Sequence, residues 1–273
     1  MTSISLHPTP SSRTVAIEQF RAVGLALRTE ALFFVGTLIV LAALMIGSTI
    51  HAMQTHPAGQ FHAGFTYGAP VTIPIFLMAF LIPFGVWRAE DPARRAYHWS
   101  MPVARGPHTI AKLLSGWAWM MIAAVLYLTF IVALAAIIPM ITGEISHEGP
   151  TAGWEWAVAF TAPTLAYLLT SIAVIGSDHA WRWIGGLYIG YWVLIGVLFA
   201  FGMQEVSHTL RAVVDGAYGL NAALIGSAHD SASMRGGAVR IRSLSMANWL
   251  IAMPLWIIGS GIAVTIASYR HRE

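Results

Sequence analysis

The chain has 273 residues, of which 57% are hydrophobic and 10% charged, with a formal net charge of +3. A soluble domain carries about a quarter charged residues, so this composition belongs to a membrane protein. With no cysteine present, disulfides, thiolate zinc sites, iron–sulfur clusters and cysteine nucleophiles are excluded.

The first 30 residues are polar and carry Arg13, Arg21 and Arg28. Within them, residues 14–30 place Ile17, Phe20, Val23, Gly24 and Leu27 on one helical arc, with Glu18, Gln19, Thr29 and Glu30 elsewhere. That pattern predicts a helix lying flat at the inner membrane surface, against the alternative of a polar tail with accidental spacing. The apolar run that follows is longer than a signal-peptide core and reads as a retained first span.

Six apolar stretches are free of charged residues: roughly 31–50, 68–87, 113–141, 156–177, 183–203 and 247–268. Each reaches the ~20 residues that a helix needs to cross the hydrocarbon core, and lipid offers no partner for an unpaired backbone amide. The expected fold class is therefore all-α, a polytopic bundle of six transmembrane helices. The expected division is a tail with an interfacial helix over 1–30 and a transmembrane domain over 31–273. Pro74, Pro83, Pro163 and Pro254 fall inside spans and are expected to bend them.

The arginines give the orientation. With both termini in the cytoplasm, inner segments hold 11 of the 15 basic residues, and the other four, Arg211, Arg235, Arg240 and Arg242, share one long outer loop. Trp87, Trp99, Trp154, Trp156, Trp181, Trp183 and Trp249 lie near span ends, as interfacial aromatic belts require.

The segment from Arg88 to Lys112 joins the second and third spans. Asp91 followed by Pro92 is a helix start, and Pro102 ends the short helix. Gly106-Pro107 then turns the chain into the third span. The product is either a compact charged element that pushes on another protein or an ordinary positive-inside loop that fixes topology. Residues 204–246 form a long outer loop. Its first part, with Val206, Leu210, Val213, Val214, Leu220 and Leu224 interrupted by Gly216 and Gly219, reads as one or two half-buried helices at, or dipping into, the outer leaflet. Its second part, from His229 to Arg242, is small, polar and glycine-containing. A partly ordered exit gate and a plain exposed loop both fit.

No phosphate-binding glycine loop is present, the only lysine being Lys112, and neither His-Glu-x-x-His nor Gly-x-Ser-x-Gly occurs. No Asp, Glu, Lys, Arg or His side chain lies within the six spans as drawn. Burying one at mid-membrane costs about 3 kcal/mol on insertion scales, and proton- or ion-coupled carriers depend on such groups. His51, His98 and His179 fall at span edges or in loops, where interfacial placement outweighs a ligand role. Gly186-x-x-x-Gly190 permits close helix approach. Thr161, Thr164, Tyr167 and Ser171 share a face of the fourth span; they either line a passage or, the more frequent use, bond a neighbouring helix.

Together, the interfacial N-terminal helix, six spans with both ends inside, a charged loop after the second span and a basic C-terminal tail resemble the type-two ABC exporter permeases. In the loop, Glu90-Asp91, then Ser100-Met101-Pro102-Val103-Ala104-Arg105, then Ala111-Lys112 are similar to that family's acidic start, Leu-Pro-Val-Ser-Arg-like segment and basic opening of the third span. Pro92-Ala93-Arg94-Arg95 departs from it, where the family often has glycine and threonine. The resemblance implies that 88–105 is a coupling helix seated in a separate ATPase subunit. Glu90, Asp91, Arg94, Arg95, Trp99, Ser100, Met101, Pro102, Val103, Arg105 and Lys112 would carry the coupling. It further implies that ATP and magnesium belong to that partner and that this chain holds no cofactor or metal. A second permease subunit, identical or not, would complete the conduit in the cell (plasma or inner) membrane, among lipid and without nucleic acid. Two other classes stay open: a membrane-embedded enzyme or redox subunit, from the edge histidines and tryptophans, and a non-transporting assembly or sensor subunit using the outer loop.

Overall fold

The computed structural model describes residues 12–55, 64–66, 73–87, 105–142, 146–148, 154–177, 179–225 and 245–270. In chain order these form α1 (Ser12–Ala26), α2 (Arg28–Thr55), β1 (Gly64–Thr66), α3 (Ile73–Trp87), α4 (Arg105–Thr142), β2 (Ser146–Glu148), α5 (Glu155–Gly176), α6 (Ala180–Ala200), α7 (Gln204–Asp215), α8 (Leu220–Ile225) and α9 (Met246–Arg270). The architecture is helical apart from β1 and β2, which pair in parallel with Phe65 opposite His147. Among the described residues, five helices are long and apolar enough to cross a membrane: Arg28–His51, His108–Leu134, Trp156–Gly176, Ala180–Ala200 and Met246–Ser268. The shorter apolar helix, Pro74–Trp87, measures about 21 Å at 1.5 Å per residue, below the ~30 Å of a hydrocarbon core. Residues 68–72 of the expected second span lie outside the described residues. The protein is thus a multi-pass membrane protein on the length and composition of its helices.

Pro83, Pro163 and Pro254 stand inside α3, α5 and α9. Pro74 is the second residue of α3 as described.

The centre of the bundle is α5, flanked by α3, α4 and α9. Half of the α5 span is buried, against 6% of the α2 and α6 spans, so those two form the edges. The main core joins Ile75, Met78, Ile82 and Val86 of α3 to Met120, Ala124 and Tyr127 of α4 and to Tyr167 and Ile175 of α5. One end of the bundle, the basic end, gathers α1, the end of α3 and the starts of α4 and α6. Phe76, Trp154, Trp249 and Met253 pack at the far end.

The expected N-terminal helix forms, ending at Ala26 rather than 30, and its arc is occupied by protein. Phe20 stacks on Trp119 of α4 with ring centroids 4.9 Å apart, and Trp119 Nε1 donates to the Phe20 carbonyl at 3.0 Å. Gly24 permits this approach, because a Cβ there would stand 2.6 Å from the Trp119 ring. Val23 and Leu27 are buried, while Ile17 at the outer end of the arc is 44% exposed.

Between α6 and α7 the chain reverses. Gly202 takes a φ of +72°, Gly202 N–H donates to Phe199 O at 3.1 Å, and Met203 N–H donates to Leu198 O at 2.9 Å. These are the paired bonds of a Schellman cap, with glycine at its left-handed position. As a result α7 folds back along α6, and α8 packs against α5 and α9. Leu220 and Leu224 with Ala222 and Ala223 meet Leu165, Leu169, Ala252, Trp256 and Ile257. The first half of the expected outer loop is therefore a helical hairpin inserted in the bundle.

Candidate functional site

Of the residues assigned to coupling, Glu90, Asp91, Arg94, Arg95, Trp99, Ser100, Met101, Pro102 and Val103 lie outside the described residues. Arg105 opens α4. Lys112, two turns further on, is buried to 7% exposure, with Nζ 4.6 Å from the centroid of the Trp87 ring. Trp87 is the last residue of α3 and Lys112 lies near the start of α4, so a cation–π contact holds the two roots of the 88–104 segment together. A desolvated contact of this kind is worth about 2 kcal/mol. Glu30 is buried at the same end, its carboxylate and Leu27 standing over Gly85 of α3. Gln19 Nε2 lies 2.9 Å from His108 Nε2, which attaches α1 to the first turn of α4. Charge thus enters the bundle just before two of the drawn spans begin: α2 starts at Arg28 and α4 at Arg105, each earlier than the charge-free stretch it contains.

The hydroxyl residues of the fourth span make packing bonds. Thr161 Oγ1 donates to Ala157 O at 3.2 Å, and Thr164 Oγ1 donates to Phe160 O at 2.8 Å. Thr164 also accepts from Trp117 Nε1 of α4 at 3.1 Å. Tyr167 is fully buried and its hydroxyl donates across to Leu113 O at 2.8 Å; Ser171, one turn on, is fully buried as well. Thr164 and Tyr167 are thus joints to α4, whereas Thr161 is bonded to its own helix alone. Gly186 and Gly190 behave differently: a Cβ at either would meet nothing within 4 Å, so among the described residues no helix packs on that stripe. Among the described residues, no group of three His, Asp or Glu side chains gathers to hold a metal.

Two constellations were not foreseen. At the basic end, Trp181 of α6 stacks on Phe84 at 4.8 Å and meets Phe80 edge-on at 4.9 Å. The edge helix α6 is thereby fastened to α3, the helix that leads into the 88–104 segment. The only signal in the sequence was a tryptophan near a span end, which membrane-interface residues share.

The second constellation sits in the hairpin. Asn221 Nδ2 donates to Asp215 Oδ1 at 2.6 Å, and Asp215 and Arg211 both lie within electrostatic reach of the Tyr191 phenol on α6. The Tyr191 hydroxyl is buried with no hydrogen-bond partner among the described residues. Arg211 and Asp215 are one turn apart on α7 and both part-buried. That spacing, just ahead of Gly216 and Gly219, was the available signal.

No protein-family model matches the chain, and no characterised protein or solved structure matches it either.

Proposed function

We propose that this chain is the membrane-spanning permease subunit of an ATP-driven exporter, with the ATPase on a separate partner. The observation that carries this reading is the Lys112–Trp87 contact. It roots a short segment rich in charge in two helices that pack on each other and, through α3, on the central α5. A force applied to that segment from outside the membrane is delivered to the core instead of being absorbed by a slack loop. In this reading the apolar stretch 68–87 is a sixth span. Both termini are cytoplasmic, as the 11-to-4 split of basic residues favours, and the protein resides in the cell membrane. Residues 88–105 engage the ATPase, which binds ATP and magnesium. A second permease subunit, identical or different, completes the conduit, and the exposed glycine stripe of α6 supports the presence of another helix there.

The test is purification of the native complex, followed by charge reversal at Arg94, Arg95 and Arg105. An ATPase is expected to co-purify, and the triple variant Arg94→Glu, Arg95→Glu, Arg105→Glu is expected to lose ATP-driven transport while the membrane subunit still folds. A native complex without an ATPase, or full turnover in the triple variant, removes this function.

A further inference from the structure

The α7–α8 hairpin raises a problem of solvent. Two contacts and one electrostatic neighbourhood fix its depth. Trp256 Nε1 donates to Tyr218 O at 3.1 Å, and Trp256 is the eleventh residue of the 25 in α9. Leu165, packed on Ala222 and Ala223, is the eleventh residue of the 22 in α5. Tyr191, within reach of Asp215, is the twelfth residue of the 21 in α6. The tip of the hairpin therefore stands near the middle of three helices long enough to span a bilayer.

Along α7, Ser207 is buried and Leu210, Arg211, Val214 and Asp215 are part-buried against the bundle. Two strips stay exposed. One is apolar, Val206 and Val213; the other carries Gln204, Glu205, His208, Thr209 and Ala212. The apolar strip is at home in lipid. The polar strip is not: an ionisable group facing hydrocarbon costs about 3 kcal/mol, and such groups in membrane proteins face protein or water. Its deeper end adjoins the part-buried Arg211, Asp215 and Asn221, so charge persists toward the tip.

The geometry points to a water-filled vestibule, open at the far end, whose wall is the polar strip of α7 and whose floor is the Arg211–Asp215–Asn221–Tyr191 cluster. Water and small hydrated solutes are its contents. The vestibule rests on reading these helices as spans and is independent of how transport is powered.

The absence of cysteine makes the test direct. Single variants Glu205→Cys, His208→Cys and Ala212→Cys on the polar strip, and Val206→Cys and Val213→Cys on the apolar strip, are treated in intact cells with a membrane-impermeant methanethiosulfonate carrying a quaternary ammonium. A permeant maleimide applied after solubilisation counts the folded, reactive thiol in each, and only variants that elute as a single species are scored. Ala212→Cys lies about 12 Å along α7 from its start. It is expected to react within tenfold of Glu205→Cys, with Val213→Cys at least tenfold slower than Ala212→Cys. Protection of His208→Cys and Ala212→Cys equal to that of Val213→Cys overturns the vestibule, as does reaction only from the opposite side in inverted vesicles. Neither result depends on an ATPase being present, so this inference and the proposed function fail separately.

Discussion

The bundle holds charge in two places, and they are held differently. At the basic end, Glu30 and Lys112 sit at helix starts, and Lys112 can lay its hydrocarbon stem along α4 while its ammonium meets the Trp87 face. Their depth is shallow, so water lies within a turn. At the hairpin, Arg211 and Asp215 stand at mid-span, on a segment that had to turn back through Gly202 to bring them there. Shallow charge is compatible with a mechanical root; deep charge demands a polar surrounding of its own. The same residue types thus report different functions according to how far they lie from the ends of the helices.

Removing one member of the deep pair separates the two situations most sharply. Asp215→Leu takes the Asn221 acceptor and leaves the Arg211 charge at mid-membrane without its acidic neighbour. A loss of about 3 kcal/mol is expected from the lost acceptor and the uncompensated, part-buried charge, seen as a large drop in folded yield and in the unfolding midpoint in detergent. Arg211→Leu added to Asp215→Leu is expected to recover most of it. Wild-type stability in the single variant would show that the hairpin does not reach mid-depth.

At the basic end the effect is smaller. Lys112→Met keeps the stem and loses the cation–π contact, about 2 kcal/mol or less. A double-mutant cycle with Trp87→Leu should assign that loss to the pair, and additivity of the two changes would dissolve the contact. The least effect is expected on α5, where Thr161→Ala removes only a bond to its own helix. The unfolding midpoint should move by no more than the equivalent of about 0.5 kcal/mol, with transport unaltered; a transport defect in a stable Thr161→Ala would restore the passage reading of that face.

Apolar length was the most legible feature of the sequence, because crossing hydrocarbon requires it: six stretches were drawn from it, and five of them hold helices long and apolar enough to cross a membrane among the described residues. The N-terminal helix was legible for the same reason of periodicity, although its arc faces Trp119 and not lipid alone. The hydroxyl face of α5 could be found but not interpreted from spacing: only the partners Leu113 and Trp117 distinguish a joint from a lining. The deep charges were hidden by their position between two spans. A loop and a re-entrant hairpin have the same composition, and what tells them apart is the cap at Gly202 and the packing of Ala222 and Ala223 on α5, which are matters of three dimensions.

The aromatic wedge of Trp181 between Phe80 and Phe84 has a consequence for amplitude. It pins α6 near its first turn, and beyond that point the helix is largely exposed among the described residues, with α7 lying along it. A rod of 21 residues is about 31 Å long, so a tilt of ~10° about the pinned end would sweep the other by ~5 Å. Because Gly202 joins α7 to that end while α8 stays packed on α5 and α9, such a tilt would have to be taken up within the hairpin.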